Sequence, residues 1–191
     1  MSLPKGIVRS EGRRQRCNWR KIVASAIVGA TAQAFSGVLA MLRLTLAWIH
    51  LLALGFGLGA ILDRAAALRE PVSLTSVRRA FRDDAVWGIT AFVWIGSGLW
   101  RLLGATEKSA SYYLNNPVFL GKMSLLVVIL LLEIWPMIML TRWRRALGRS
   151  LPVETVAVPA VARRIAAIST IEALLIMAMV AAAVAMARGY G

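Results

Sequence analysis

MLRLTLAWIHLLALGFGLGAIL, residues 41–62, decides the fold. It contains one arginine and one histidine and no other ionisable group, and it is as long as the ~20 residues a helix needs to cross a bilayer. The whole chain is 59% hydrophobic and 17% charged, with positive mean hydropathy, which is membrane-protein composition. Working outward, residues 44–62, 85–103, 118–141 and 165–187 each form an apolar stretch of spanning length. Backbone groups in lipid must be satisfied within their own segment, so these stretches predict an all-α integral membrane four-helix bundle. No internal repeat or soluble domain interrupts residues 41–191, which read as one transmembrane domain.

The formal charge of +14 carries its information in its distribution. Arg64, Arg69, Arg78, Arg79 and Arg82 follow the first span, and Arg142, Arg144, Arg145, Arg149, Arg163 and Arg164 follow the third. The connector between the second and third spans holds chiefly Glu107 and Lys108. This alternation is the positive-inside pattern. It predicts a multi-pass membrane protein, with cytoplasmic Arg-rich loops over 63–84 and 142–164 and the C-terminus on the outer side. The arginines thus have a topological explanation, and a nucleic-acid partner is not expected; membrane lipid is. Cys17 is the only cysteine, which excludes an intrachain disulfide and a cysteine-ligated metal site.

Residues 1–40 join a basic stretch, with Arg13, Arg14, Arg16, Arg20 and Lys21, to an uncharged apolar run. Three readings stay open: a cleaved signal-like segment with small residues around Ala32 and Ala34, a retained extra helix over 22–40, or a start at Met41. The retained helix agrees with the charges, because it would deliver Met41 to the outer face.

The ionisable residues inside the spans are the candidates for function, since such groups are costly at membrane depth and usually face a cavity or a partner. Apart from Arg101 at the edge of the second span, they are His50, Lys122, Glu133 and Glu172. Helical rise puts His50 about 10 Å and Lys122 about 7 Å in from the outer end, and both glutamates about 12–13 Å in from the cytoplasmic end. Lys122 and Glu133 are eleven residues apart and share one helix face. Plain readings stand beside the functional ones. Lys122 is shallow enough to snorkel, the glutamates can be hydrogen-bonded across helices, and a lone buried histidine is commonly a satisfied interhelical donor. Gly55 and Gly59 have the small-xxx-small spacing of helix packing. Trp87 and Trp100 fit an interfacial belt, whereas Trp94 lies mid-span and needs a partner for its indole N–H. Asn115-Asn116-Pro117 signals a turn before the third span, and Pro136 removes one hydrogen bond within it.

The stretches LRLTLAWIHLLALGFGLGA, GSGLWRL, YYLNNPVFLGKMSLLVVILLLEIWP and AMARGYG resemble a family of bacterial inner-membrane proteins with no established activity. More distantly, the early histidine of the first helix, the Gly-Leu-Trp near the end of the second and the lysine opening the third are similar to HemJ-type protoporphyrinogen oxidases and to CopD copper-resistance proteins. The HemJ resemblance implies haem b as cofactor, with His50 and Lys122 as ligands of the haem iron. Where HemJ sequences carry further histidine and polar residues after the first helix, this chain has LDRAAALREP.

Three function classes follow. The first is a membrane oxidoreductase with haem at His50 and Lys122, a quinone or another membrane redox protein as partner, and Glu133 and Glu172 as a proton relay. The second is a non-catalytic accessory subunit, and the third a copper transporter using Met123, Met177, Met179 and Met186 as soft ligands. The sequence leaves the substrate and the oligomeric state open.

Overall fold

The structure, a computed structural model, describes residues 7–103 and 115–188, with side chains for residue 23, residues 25–103 and residues 115–188. Glu107, Lys108 and the last three residues lie outside the described residues. The helices are α1 (Ile7–Arg69), α2 (Leu74–Leu103), α3 (Pro117–Leu147), the single turn α4 (Val153–Val156) and α5 (Pro159–Ala187). No strand occurs among the described residues. Four helices, Ser25–Arg69, Leu74–Leu103, Pro117–Leu147 and Pro159–Ala187, are long and apolar enough to cross a membrane. The chain divides into two compact units, Met1–Thr45 and Leu46–Gly191.

In the first unit the expected helix over 22–40 is part of α1 and has no boundary of its own. No proline or turn pair stands between Ile22 and Thr45 to end it. Its apolar residues Val23, Ile27, Val28, Phe35 and Val38 are exposed.

The second unit holds the bundle, and its helix boundaries follow from local chemistry. Ser73 caps α2 reciprocally with Ser76: each hydroxyl oxygen accepts the other residue's backbone N–H, at 3.1 and 3.0 Å. The Asn116 side chain accepts from Val118 N and Phe119 N at 2.9 and 3.1 Å, and Pro117 follows as first helical residue, where its missing N–H costs nothing. Pro159 opens α5 in the same way. After Leu147 the chain turns through Ser150, whose φ of 60° is the one left-handed non-glycine conformation among the described residues.

The stretches expected as loops over 63–84 and 142–164 are largely helical. α1 runs on to Arg69, α2 begins at Leu74, and only short breaks surround α4. The apolar pattern of Ala65, Ala67 and Leu68 continues that of the span before it, and these residues are buried with Val77, Ala80, Leu140, Trp143 and Ile165 in a core at the arginine-rich end. Arginines there lie on aromatic faces, Arg144 5.0 Å from the Phe81 centroid and Arg164 4.8 Å from that of Trp135. A second core, of Ala53, Ala60, Ile61, Trp87, Trp94, Ile129, Ala173, Ile176 and Met179, fills the middle of the bundle. The outer faces carry Phe92, Leu131 and Leu174, 80%, 62% and 63% exposed, which suits lipid contact and not water.

Close helix approach depends on one glycine other than the pair expected. Gly55 and Gly59 have nothing near them, whereas a Cβ on Gly57 would lie 2.9 Å from Trp87 Cζ3. Trp87 is accordingly buried at 3% exposure against α1, while Trp100 is exposed. Gly57 shares the helix face of His50, seven residues before it, and that is the face turned to α2.

Candidate functional site

Two polar centres lie inside the second unit. The one nearer the arginine-rich end is built on Arg64, grouped by sequence with the connector yet fully buried in the bundle. Its Nε donates to Ser169 Oγ at 3.0 Å; Nη1 donates to Asp84 Oδ1 at 3.0 Å and Glu133 Oε1 at 2.6 Å; Nη2 donates to Glu133 Oε2 at 2.7 Å and Glu172 Oε2 at 2.9 Å. A guanidinium has five N–H donors, so each has one acceptor, and Glu133 is held bidentately. Arg64, Asp84, Glu133 and Glu172 come from α1, α2, α3 and α5, so the cluster ties together all four long helices.

Sequence reading found both glutamates and missed Arg64 and Asp84, because each falls just outside an apolar window. Helical phase was the available signal. Arg64 follows His50 by fourteen residues, close to four full turns, and therefore returns to the same inward face. Two acids within spans and no cation beside them also called for a buried base.

The second centre is a cavity of about 160 Å³ toward the other end of the bundle, lined by His50, Trp94, Phe119, Lys122, Met123 and Met179 among others. His50 Nε2 accepts the Trp94 indole N–H at 3.1 Å. The indole nitrogen can only donate, so this ring nitrogen carries no proton, His50 is neutral, and the proton sits on Nδ1. Nδ1 lies 3.0 Å from both the Trp94 carbonyl oxygen and Ser97 Oγ. The Ser97 hydroxyl donates to that same carbonyl at 3.0 Å, so its oxygen can accept from the imidazole. Gly98 makes room for the ring, since a Cβ there would stand 3.1 Å from His50 Cε1. Trp94 thus finds the partner that a mid-span indole requires.

His50 and Lys122, on different helices, line the same cavity, and Lys122 is half-buried there. Met123, Met179 and Met186 line it too, whereas Met177 is 59% exposed and stands apart from them. Among the described residues, no group of three histidine, cysteine or acidic side chains has metal-binding geometry. The two centres are separated along every helix by apolar residues: Ile61 on α1, Trp87 on α2, Ile129 on α3, Ile176 on α5. His50 to Arg64 spans about 21 Å of helix. A proton relay from the glutamates to the cavity has to cross this layer.

Residues 42–191 match the family model described as Predicted membrane protein (DUF2214). The chain belongs to that family. DUF2214 membership and four helices of spanning character make it a multi-pass membrane protein. The DUF2214 region contains both polar centres and all of α2 to α5. No curated protein and no solved structure matches the chain.

Proposed function

We propose that this chain is a membrane redox protein whose cofactor site is the cavity at His50 and Lys122, with b-type haem as the group its donors suit. One observation carries the reading: His50 and Lys122, from different helices, line a single cavity whose remaining walls are mainly apolar apart from Arg101. The tautomer of His50 adds support. Metal-ligating histidines commonly donate one ring N–H to a backbone carbonyl and offer the other nitrogen to the metal, and His50 has its Nδ1 on the Trp94 carbonyl. In this reading Lys122 binds as the neutral amine.

The volume sets a condition. Ligand pockets run from about 300 to 1,000 Å³, and this cavity is smaller. Holding haem would require a wider cavity and a His50 Nε2 freed from the Trp94 indole, and the group would supply one-electron redox chemistry. The electron partner is a quinone or another membrane redox protein, and the arginine-rich end faces the cytoplasm of a bacterial inner membrane. Protein purified from haem-replete cells should show reduced-minus-oxidised Soret and alpha bands that vanish in His50→Ala. A colourless preparation overturns the proposal.

Two further readings each have an observation in their favour. The hydrogen bonds of His50 to α2 support a structural role, in which His50→Ala lowers stability and no cofactor is involved. The gathering of Met123, Met179 and Met186 beside His50 supports a site for a soft cation such as Cu(I), which would need no widening of the cavity. Metal analysis of the purified protein separates the two.

A further inference from the structure

The Arg64 cluster brings three carboxyl groups onto one guanidinium within the bundle. Among the described residues Arg144 is the other cation ion-paired with the cluster, with Nη2 4.0 Å from Asp84 Oδ2 and its side chain about half exposed. Even with Arg144 counted in full, three ionised carboxylates leave one uncompensated negative charge among four membrane helices, where isolated charge is most costly. Ser169, the remaining polar partner, is uncharged.

The three acids are not equivalent. Glu133 accepts Arg64 N–H groups on both oxygens at 2.6 and 2.7 Å, as an ionised carboxylate does. Asp84 is 14% exposed and lies beside Arg144. Glu172 is fully buried, accepts a single bond from Arg64 through Oε2, and its Oε1 has no hydrogen-bond partner among the described residues. Its neighbours along α5, Ala173 and Ile176, are apolar and buried.

We propose that Glu172 is a proton-binding site: its buried carboxylate takes up one proton from the aqueous phase at the arginine-rich end, and the neutral acid completes the packing of the four helices. The step is a protonation alone, carboxylate plus proton giving carboxylic acid, and it involves no other reactant. The ligand is a proton and not a metal cation, because the Arg64 guanidinium occupies the centre of the cluster. Loss of the proton sets a second full negative charge beside Glu133, since Glu133 and Glu172 both accept from Nη2 of Arg64. Helix packing at this end is thereby linked to proton occupancy, as groups that bind protons differently in two states are linked to the balance between them. This inference is independent of the cavity reading.

The test is infrared spectroscopy of the full-length protein in lipid vesicles at neutral pH. The wild type should show the C=O stretch of a protonated carboxyl, lowered in D2O and shifted when the protein is made with isotope-labelled glutamate. Glu172→Gln, which keeps an oxygen for Arg64, should lose the band, and Glu154→Gln, on exposed α4, should keep it. A wild-type protein without the band, a band insensitive to glutamate labelling, or its full persistence in Glu172→Gln overturns the proposal. The labelling experiment needs no variant to fold.

Discussion

The two polar centres of the bundle solve the problem of polarity in lipid differently. At Arg64 ionic groups from four helices meet, and every guanidinium donor has an acceptor. At His50 neutral hydrogen bonds link α1 to α2 beside a cavity. The first arrangement is one that fixes helices, and the second leaves room for a ligand. The difference separates the load on stability from the proposed ligand site.

The largest expected effect tests that separation directly. Arg64→Ala strands three carboxyl groups, and removing one partner of a buried ionic cluster costs about 3–5 kcal/mol. His50→Ala breaks interhelical hydrogen bonds that average about 0.6 kcal/mol each in a membrane. Unfolding titrations of the two variants in mixed detergent micelles should differ by several-fold in free energy. Equal losses would remove the distinction between a structural and a ligand-binding centre.

Within the Arg64 cluster a smaller contrast is expected. Glu133→Gln replaces the bidentate carboxylate and should cost about 1.5–3 kcal/mol, the worth of a hydrogen bond to a charged group. Glu172→Gln mimics the neutral acid and should leave stability at neutral pH close to that of the wild type. The same unfolding assay compares them, and a Glu172→Gln loss as large as that of Glu133→Gln would mean that both acids are ionised.

How far these centres were legible in the sequence depends on which property marks each residue. The four spans were readable because hydropathy is a local sum, and so was the pairing of Lys122 and Glu133 with the bundle interior, because helical phase is local as well. Arg64 was not, because its charge gave it to the connector, whereas its burial comes from partners 20, 69 and 108 residues away. The glycine contacts were illegible for a similar reason. Gly55, Gly57 and Gly59 look alike in sequence, and only the position of Trp87 singles out Gly57. The common cavity of His50 and Lys122 was expected from their depth, but its size depends on how Phe119, Met179 and Trp94 pack, which no pattern encodes.

Gly57→Ala measures the α1–α2 contact between the two centres. A Cβ 2.9 Å from the Trp87 ring overpacks a buried site, at a cost of about 1–3 kcal/mol, while Gly55→Ala and Gly59→Ala meet open space. Thermal unfolding of the three variants should single out Gly57, and equal behaviour would show that α1 and α2 are not in close contact there.

A small expected loss of stability is the most informative about function. Trp94→Phe keeps an aromatic ring but deletes the indole N–H that occupies His50 Nε2. If the bond matters only for packing, the variant loses about 0.6 kcal/mol. Combined with His50→Ala, it should then add nothing further, since the two residues act as one pair. If the cavity is a haem site, the same deletion removes the competitor for the iron-binding nitrogen, so haem occupancy of purified Trp94→Phe should rise above that of the wild type. The two roles therefore predict different movements in the absorption spectrum from one substitution. Unchanged spectra with a shared stability loss would leave His50 as a helix clamp and direct the search for activity to the methionines of the same cavity.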